Sequence, residues 1–387
     1  MDFLPPFRAW AEVNLDRLEH NFNELSKAAC GAVVMCVVKA NAYGHGAVVC
    51  SKRLEKSGCT QFGVATLEEA IELRQSGIKS KILLLNHVDK NRISDALSHN
   101  IDLTVFSLEL AKAVSKKAKK QVNIHIKLDT GLNRIGFKPH EALEKITKIN
   151  ALPNINIEGV FTHFASSFAK DTTYTEFQTD VFIKICDELK NSGIDIGVKH
   201  AANSAAVINH PKTHFDMVRV GISLYGCYPF DDTEKTKVNL LPCMQVKAGI
   251  NRVIELGPGE AVSYGGLFVT KRQTRLATIP IGYADGVSGV LTGKLEVLVN
   301  GQIAPVVGKI CMDQCMIDVT EIQGNVAVGD VAVIFGEQQG GFIPVEKPAA
   351  QIGTINYEML CMVSRRVPRY YVESGKIVGK QDFSGNY

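Results

Sequence analysis

The chain has 387 residues, 45% hydrophobic and 21% charged. That is a globular composition, long enough for one barrel-sized domain plus a second piece, and unlike a disordered, collagen-like or coiled-coil protein. Forty-three Lys and Arg against 40 Asp and Glu leave a net charge of +3, too near balance for a protein that coats nucleic acid. The sequence also has no basic stripe with interleaved aromatics. The longest uncharged apolar stretch, 30–38, is about half of what a membrane-spanning helix needs, so no membrane partner is expected. The first residues offer neither the basic region nor the apolar core of a secretory signal, which predicts cytoplasmic residence. The ten cysteines fit reduced thiols in such a compartment. The close pair Cys311 and Cys315 has no second pair or histidine cluster to complete a zinc site, and no metal is expected.

Along the chain, β-branched apolar runs lie at 33–39, 62–65, 82–85, 103–106, 123–128, 157–163, 198–201 and 217–225. Between them are amphipathic helical patterns at 46–57, 67–76, 90–99, 107–119, 140–149 and 174–191, and a shorter one after Asn203. Near-continuous hydrophobicity in the strands means that both faces are covered, and eight strand-then-helix repeats is the number that closes a barrel. Residues 1–235 are therefore read as an α/β domain, a (β/α)8 TIM-type barrel. An open doubly wound sheet that binds a dinucleotide would place G-x-G-x-x-G after the first strand, and Lys39-Ala40-Asn41-Ala42-Tyr43-Gly44 is not that motif. After a polar stretch at 229–241 the alternation stops. Strand patterns at 244–255, 275–280, 295–299, 303–307, 316–319 and 331–335, separated by Gly-rich turns, predict a second, mostly β domain over 236–387.

In a barrel the functional face is where strands end and loops begin. The polar residues predicted at those ends are Lys39, then Lys127 and Asp129 with Arg134 just beyond, His163, His200 with Asn203 and Ser204, and Arg219 with Gly221. Taken singly, each also reads as an ordinary structural residue. Lys39 closes Val-Val-Met-Cys-Val-Val and either snorkels into water or is desolvated enough to lose its proton and react with an aldehyde. Ser204 is either a helix cap or, with Gly221-Ile222, a set of donors for a phosphate. Arg134 also reads as an ion-pair partner of Asp129, His163 as a core histidine, and Tyr264 and Tyr357 as packing residues.

The wording of the motifs goes further than their spacing. Val37-Val38-Lys39-Ala40-Asn41-Ala42-Tyr43-Gly44-His45-Gly46 resembles the pyridoxal 5'-phosphate site of the alanine racemase family. The resemblance spans nearly the whole chain and keeps family order through 127–136 (KLDTGLNRIG), 200–206 (HAANSAA), 262–265 (VSYG), 282–286 (GYADG), 311–314 (CMDQ) and 354–358 (TINYE). One departure is Gly289, where the family commonly has an arginine, which bears on loop or subunit contacts.

What the resemblance implies is a homodimeric, pyridoxal-phosphate-dependent isomerase with shared active sites, which interconverts L- and D-alanine to supply D-alanine for peptidoglycan. Lys39 would hold the cofactor covalently and act as one of two bases, on the face that yields the α-proton of D-alanine. Tyr264 would be the opposing base, reaching from the β domain into the barrel of the other subunit. Tyr43, Ser204, Gly221, Ile222 and Tyr357 would hold the phosphate, His163 would lie beside the pyridine ring, and Arg219 would meet the ring nitrogen. Arg134 and the backbone at Met312 would meet the substrate carboxylate, with Lys127 beside Arg134 as a candidate carbamate.

Two acid/base groups on opposite faces of a planar carbanion are what racemisation needs. Free Lys titrates at about 10.4 and Tyr at about 10, so both must come down to work near neutrality. Arg134 and His200 are the neighbours expected to do this for Tyr264. A serine or broad-specificity racemase fits the same motifs. An amino-acid decarboxylase of related architecture would replace the Tyr264 and Arg219 context with a partner-chain cysteine, and a non-catalytic pyridoxal-phosphate carrier would need only the barrel.

Overall fold

The computed structural model of the chain describes residues 8–229 and 237–382. Its first strand, β1 (Ala9–Asn14), is followed by an amphipathic helix, Leu15–Ala28, that sequence reading passed over. The next eight strands are parallel and close on themselves: β2 (Val33–Val37), β3 (Gln61–Val64), β4 (Lys81–Leu84), β5 (Asp102–Val105), β6 (Val122–Lys127), β7 (Ile155–Phe161), β8 (Val198–His200) and β9 (Met217–Val220). Pairing of Val33 to Cys36 with Met217 to Val220 shuts the ring. The predicted (β/α)8 barrel is therefore present, with each run placed within a few residues. The reason is the one that the sequence offered. Strands such as β5 are buried along their whole length, so inner side chains such as Met35, Leu83 and Met217 fill the barrel while the helices cover its outside.

Three expectations need correction. β1 does not belong to the barrel: it pairs antiparallel with Met244–Gly249 and parallel with Arg369–Glu373, in the large sheet of the C-terminal part. The run 217–225 is not one strand, because Gly221 ends β9 and a 3-10 turn follows at Ile222–Tyr225. The runs 33–39 and 157–163 stop two residues early, leaving Lys39 and His163 just past their strands. The expected boundary at 235/236 lies outside the described residues.

Two compact units result. Among the described residues, one holds 18–42, 47–229 and 237–241, and the other holds 8–17, 43–46 and 242–382. The second unit is built on an 11-stranded sheet. Its mostly β character follows the prediction, with two short helices added at Glu346–Gln351 and Asn356–Met362. Among the described residues no helix is long and apolar enough to cross a membrane, and no cluster of three His, Cys, Asp or Glu is arranged to hold a metal ion.

Candidate active site

Lys39 lies two residues beyond the end of β2, half-buried, at the start of an unusual turn. Ala40, Asn41, Ala42 and Tyr43 all have φ between 51° and 54°, one turn of left-handed helix built without a glycine. Each L-residue in this region costs about 1–2 kcal/mol, so the turn persists only where its surroundings enforce it. Those surroundings include Glu69, which sequence reading missed. Its carboxylate accepts from the amides of Ala40 (2.7 Å), Ala65 (2.8 Å) and Thr66 (3.2 Å). The capping box Thr66-x-x-Glu69 was a visible signal for its place at a helix start, though not for its reach to Ala40. Asn41 adds an anchor by accepting from the Ala47 amide at 2.8 Å.

β9, the strand that pairs with β2, supplies Arg219, buried, with four partners. Its Nη1 donates to His200 Nδ1 (3.0 Å), and its Nη2 faces Thr162 O (2.8 Å), Ala201 O (3.0 Å) and His163 Nδ1 (3.2 Å). Phe161 packs against both cations: Arg219 Cζ and Lys127 Nζ each lie 5.3 Å from its ring centroid. Burial, followed by the positive charge of Arg219, holds His163 and His200 well below the usual histidine range, so both rings are neutral. Arg219 itself is lowered by burial to about 9 and stays charged at neutral pH.

Lys127, the last residue of β6, is buried and donates to Leu128 O at 2.8 Å. Burial, and after it the Arg219 charge, lowers it to about 7. It does not pair with Asp129, whose carboxylate takes Lys138 at 2.8 Å and the amides of Gly131 and Asn133. Asp129 is thus not tied to Arg134 either, and Arg134 is exposed. Lys127 carries a pH prediction. With an unfolded value of about 10.4, the unfolded chain binds the extra proton between pH 7 and 10.4. Stability from this group therefore rises with pH across that window and is lowest below it. In CO2-free buffer, Lys127→Met is expected to stabilise the protein near pH 7 by on the order of 2 kcal/mol and to do little above pH 10. Urea midpoints at the two pH values measure it.

The anion side of the rim is formed after β8 and β9. Asn203, not Ser204, caps the helix Ser204–Asn209, accepting from Ala206 N. This frees the Ser204 hydroxyl to accept from the Gly221 amide at 2.9 Å. Ile222 opens a 3-10 turn, whose first amides have no acceptor within the turn.

The remaining predicted residues belong to the other unit. Tyr43 and Tyr357 face each other there, ring centroids 6.1 Å apart. Tyr264 is 71% exposed, just after Ser263, whose φ is 67° and whose hydroxyl donates to Lys309 O. Tyr264 and Met312 line the same open depression of about 630 Å³, which Tyr283 and Cys311 also line. Beside it, a Cβ on Gly282 would lie 2.2 Å from Cys311 O and 2.5 Å from Met312 O, so only glycine lets these two loops approach. At Gly289 a Cβ would meet nothing within 4 Å.

A barrel that ends in a lysine, a buried guanidinium and a hydroxyl-and-amide cradle, joined in one chain to a β unit with an exposed tyrosine, is the architecture of a barrel-type amino-acid racemase. The chain belongs to the alanine racemase family. Its residues 13–229 match the family described as "Alanine racemase, N-terminal domain", and residues 243–371 match "Alanine racemase, C-terminal domain". An alanine racemase of Clostridium novyi is 43% identical over 378 residues, covering 97% of this chain and 98% of that one. The solved alanine racemase of Clostridium difficile superposes with a TM-score of 0.93 at 39% identity, covering 98% and 99%. That of Bacillus anthracis, with bound L-Ala-P, gives 0.92 at 33% identity, covering 98% and 99%.

Proposed function

We propose that the chain racemises alanine with pyridoxal 5'-phosphate, using Lys39 and Tyr264 as bases on opposite faces of Cα. Its activity is that of an alanine racemase, an isomerase reaction, in keeping with its family. The observation that carries the mechanism is the convergence, on one barrel rim, of Lys39, the Arg219–His163–His200 cluster and the Ser204–Gly221 cradle.

The donor set fits the cofactor. A phosphate needs neutral donors, which the Ser204 hydroxyl and the Ile222 amide would supply, the Gly221 amide backing Ser204 Oγ, and Tyr43 and Tyr357 are proposed as phenol donors. Ser223, whose amide is 3.5 Å from Ser204 Oγ, also buries a hydroxyl with no protein partner, the kind of group that a bound anion or its water satisfies. His163 would flank the ring. When bound, pyridoxal phosphate supplies an aldehyde for the amino group and a conjugated ring for the electron pair left at Cα.

In the L-to-D direction the Tyr264 phenolate takes the α-proton and the Lys39 ammonium returns one on the opposite face. The reverse direction exchanges these roles. Arg219 only donates, so it would face the ring nitrogen without giving up a proton to it, and a ring held in that way would be a weaker electron sink, which would limit transamination. Arg134 and the Met312 backbone amide receive the substrate carboxylate. A neutral Lys127 amine can attack CO2 and lose its proton, giving a carbamate that faces Arg134. The product D-alanine serves peptidoglycan.

Substrate choice is tested by kcat/KM for L-alanine against L-serine on one preparation. Tyr264 and Tyr357 crowd the side chain, but serine adds only a hydroxyl, so alanine is expected to lead by at most about 10²-fold. A ratio at or below unity overturns the substrate reading and leaves the two-base mechanism standing.

A homodimer with shared sites is supported by the second unit's surface, which exposes Tyr264, Leu267 (67%) and Met312 (51%); exposed apolar groups of this kind mark an interaction face. Mixing inactive Lys39→Ala and Tyr264→Phe chains is expected to restore activity, because half of the sites in a mixed dimer's pair are then intact. Confirmed reassortment without activity overturns the shared site.

A further inference from the structure

Behind Arg219 the barrel holds a second histidine that no reaction step uses. His125, on β6, is buried, and its Nδ1 lies 3.0 Å from His200 Nε2. The rings meet edge-on, centroids 5.1 Å apart at 80°, while His200 stacks on Phe161 at 4.7 Å and 9°. The barrel is shaped around this contact. The β6–β7 register shifts between Ile124 and His125, so that Gly159 stands opposite His125. A Cβ on Gly159 would come within 2.6 Å of His125 Nδ1.

The hydrogen positions in this chain follow from chemistry. A guanidinium can only donate, so His200 Nδ1, 3.0 Å from Arg219 Nη1, is an acceptor and carries no proton. The His200 proton is then on Nε2 and points at His125 Nδ1, which must itself be the bare nitrogen. Burial lowers His125 to about 3, with Lys81 and Arg219 adding to the effect, so it is a neutral acceptor throughout the working range. Stacking on Phe161 fixes the plane of His200 but leaves open both its tautomer and a half-turn about its ring axis.

We infer that His125 is a positioning residue: it selects the Nε2–H tautomer of His200 and thereby keeps the acceptor that orients Arg219. The functional consequence rests on the proposed contact of Arg219 with the ring nitrogen. Without His125, the His200 Nε2–H is a buried donor with no acceptor. The ring is then relieved by moving its proton to Nδ1 or by turning over, and either change takes the acceptor away from Arg219.

The test is ring 15N NMR of histidine-labelled enzyme before substrate is added, with the His200 signals assigned through His200→Gln. Unprotonated Nδ1 and protonated Nε2 are expected in the parent protein. His125→Leu is expected to shift His200 toward Nδ1–H. It should also lower kcat about tenfold, the scale of one buried donor left unpaired, change KM less, and raise pyruvate formed per racemisation. His125→Asn, which keeps an acceptor oxygen, should restore all three. Gly159→Ala, which pushes His125 aside, should act like His125→Leu and stands in if that variant does not fold. A parent His200 protonated on Nδ1, or a folded His125→Leu with an unchanged His200 tautomer, overturns the inference. A shifted tautomer with an unchanged pyruvate ratio supports it and removes instead the ring-nitrogen role of Arg219.

Discussion

Lys39→Ala is expected to lower alanine racemisation by at least about 10⁴-fold, the full scale of a lost general acid–base group, with added loss because the same amine holds the cofactor. The effect should be this large because nothing nearby can substitute. The neighbouring lysine of the rim, Lys127, is buried and held to Leu128 O, and the left-handed turn of Ala40 to Tyr43 fixes the position from which Lys39 acts. Small primary amines added to the Lys39→Ala enzyme should recover part of the rate, since they restore a base without a tether. Borohydride reduction of the parent enzyme with pyridoxal phosphate should leave the adduct on Lys39 in a peptide map. An adduct on another lysine, or a Lys39→Ala enzyme that retains a tenth of the rate, sinks the assignment.

The barrel is legible in the sequence because its strands are short, apolar on both faces and locally bounded. Their identity needs no knowledge of distant partners. β1 is not legible in that way. Ala9–Asn14 is a six-residue run with two alanines, and its two partners begin at Met244 and Arg369, so only the folded sheet makes it a strand. The helix Leu15–Ala28 did carry a signal: Leu18, Phe22 and Leu25 recur at helical spacing, and Asn14 accepts from Arg17 N as a cap would.

At the site, residue types were readable and backbone shape was not. Ala-Asn-Ala-Tyr favours a right-handed helix by composition, and only Asn tolerates the left-handed region, so the turn after Lys39 exists through Glu69 and Asn41. Likewise, His125 reads as a core histidine in a strand. Its meaning lies in a 3.0 Å contact with a residue 75 positions away.

Tyr264→Phe is expected to cost about 10²–10⁴-fold in racemisation, and its diagnostic feature is asymmetry rather than size. Removing the phenol oxygen takes away the base on one face of Cα and leaves Lys39 on the other. In D2O the variant should still exchange the α-proton of D-alanine for deuterium without inverting it, because Lys39 can remove and return that proton from its own face. L-Alanine should lose its exchange along with its turnover, since its α-proton points to the face where only Tyr264 acts. The substitution should leave the stability of the chain itself nearly unchanged: Tyr264 is 71% exposed in its unit, and trading its hydroxyl for hydrogen removes no buried partner within the chain. Mass spectrometry of each enantiomer after timed incubation reads the two exchange rates separately. Equal loss of exchange from both enantiomers would mean that one group serves both faces, and equal retention would place the second base elsewhere than Tyr264.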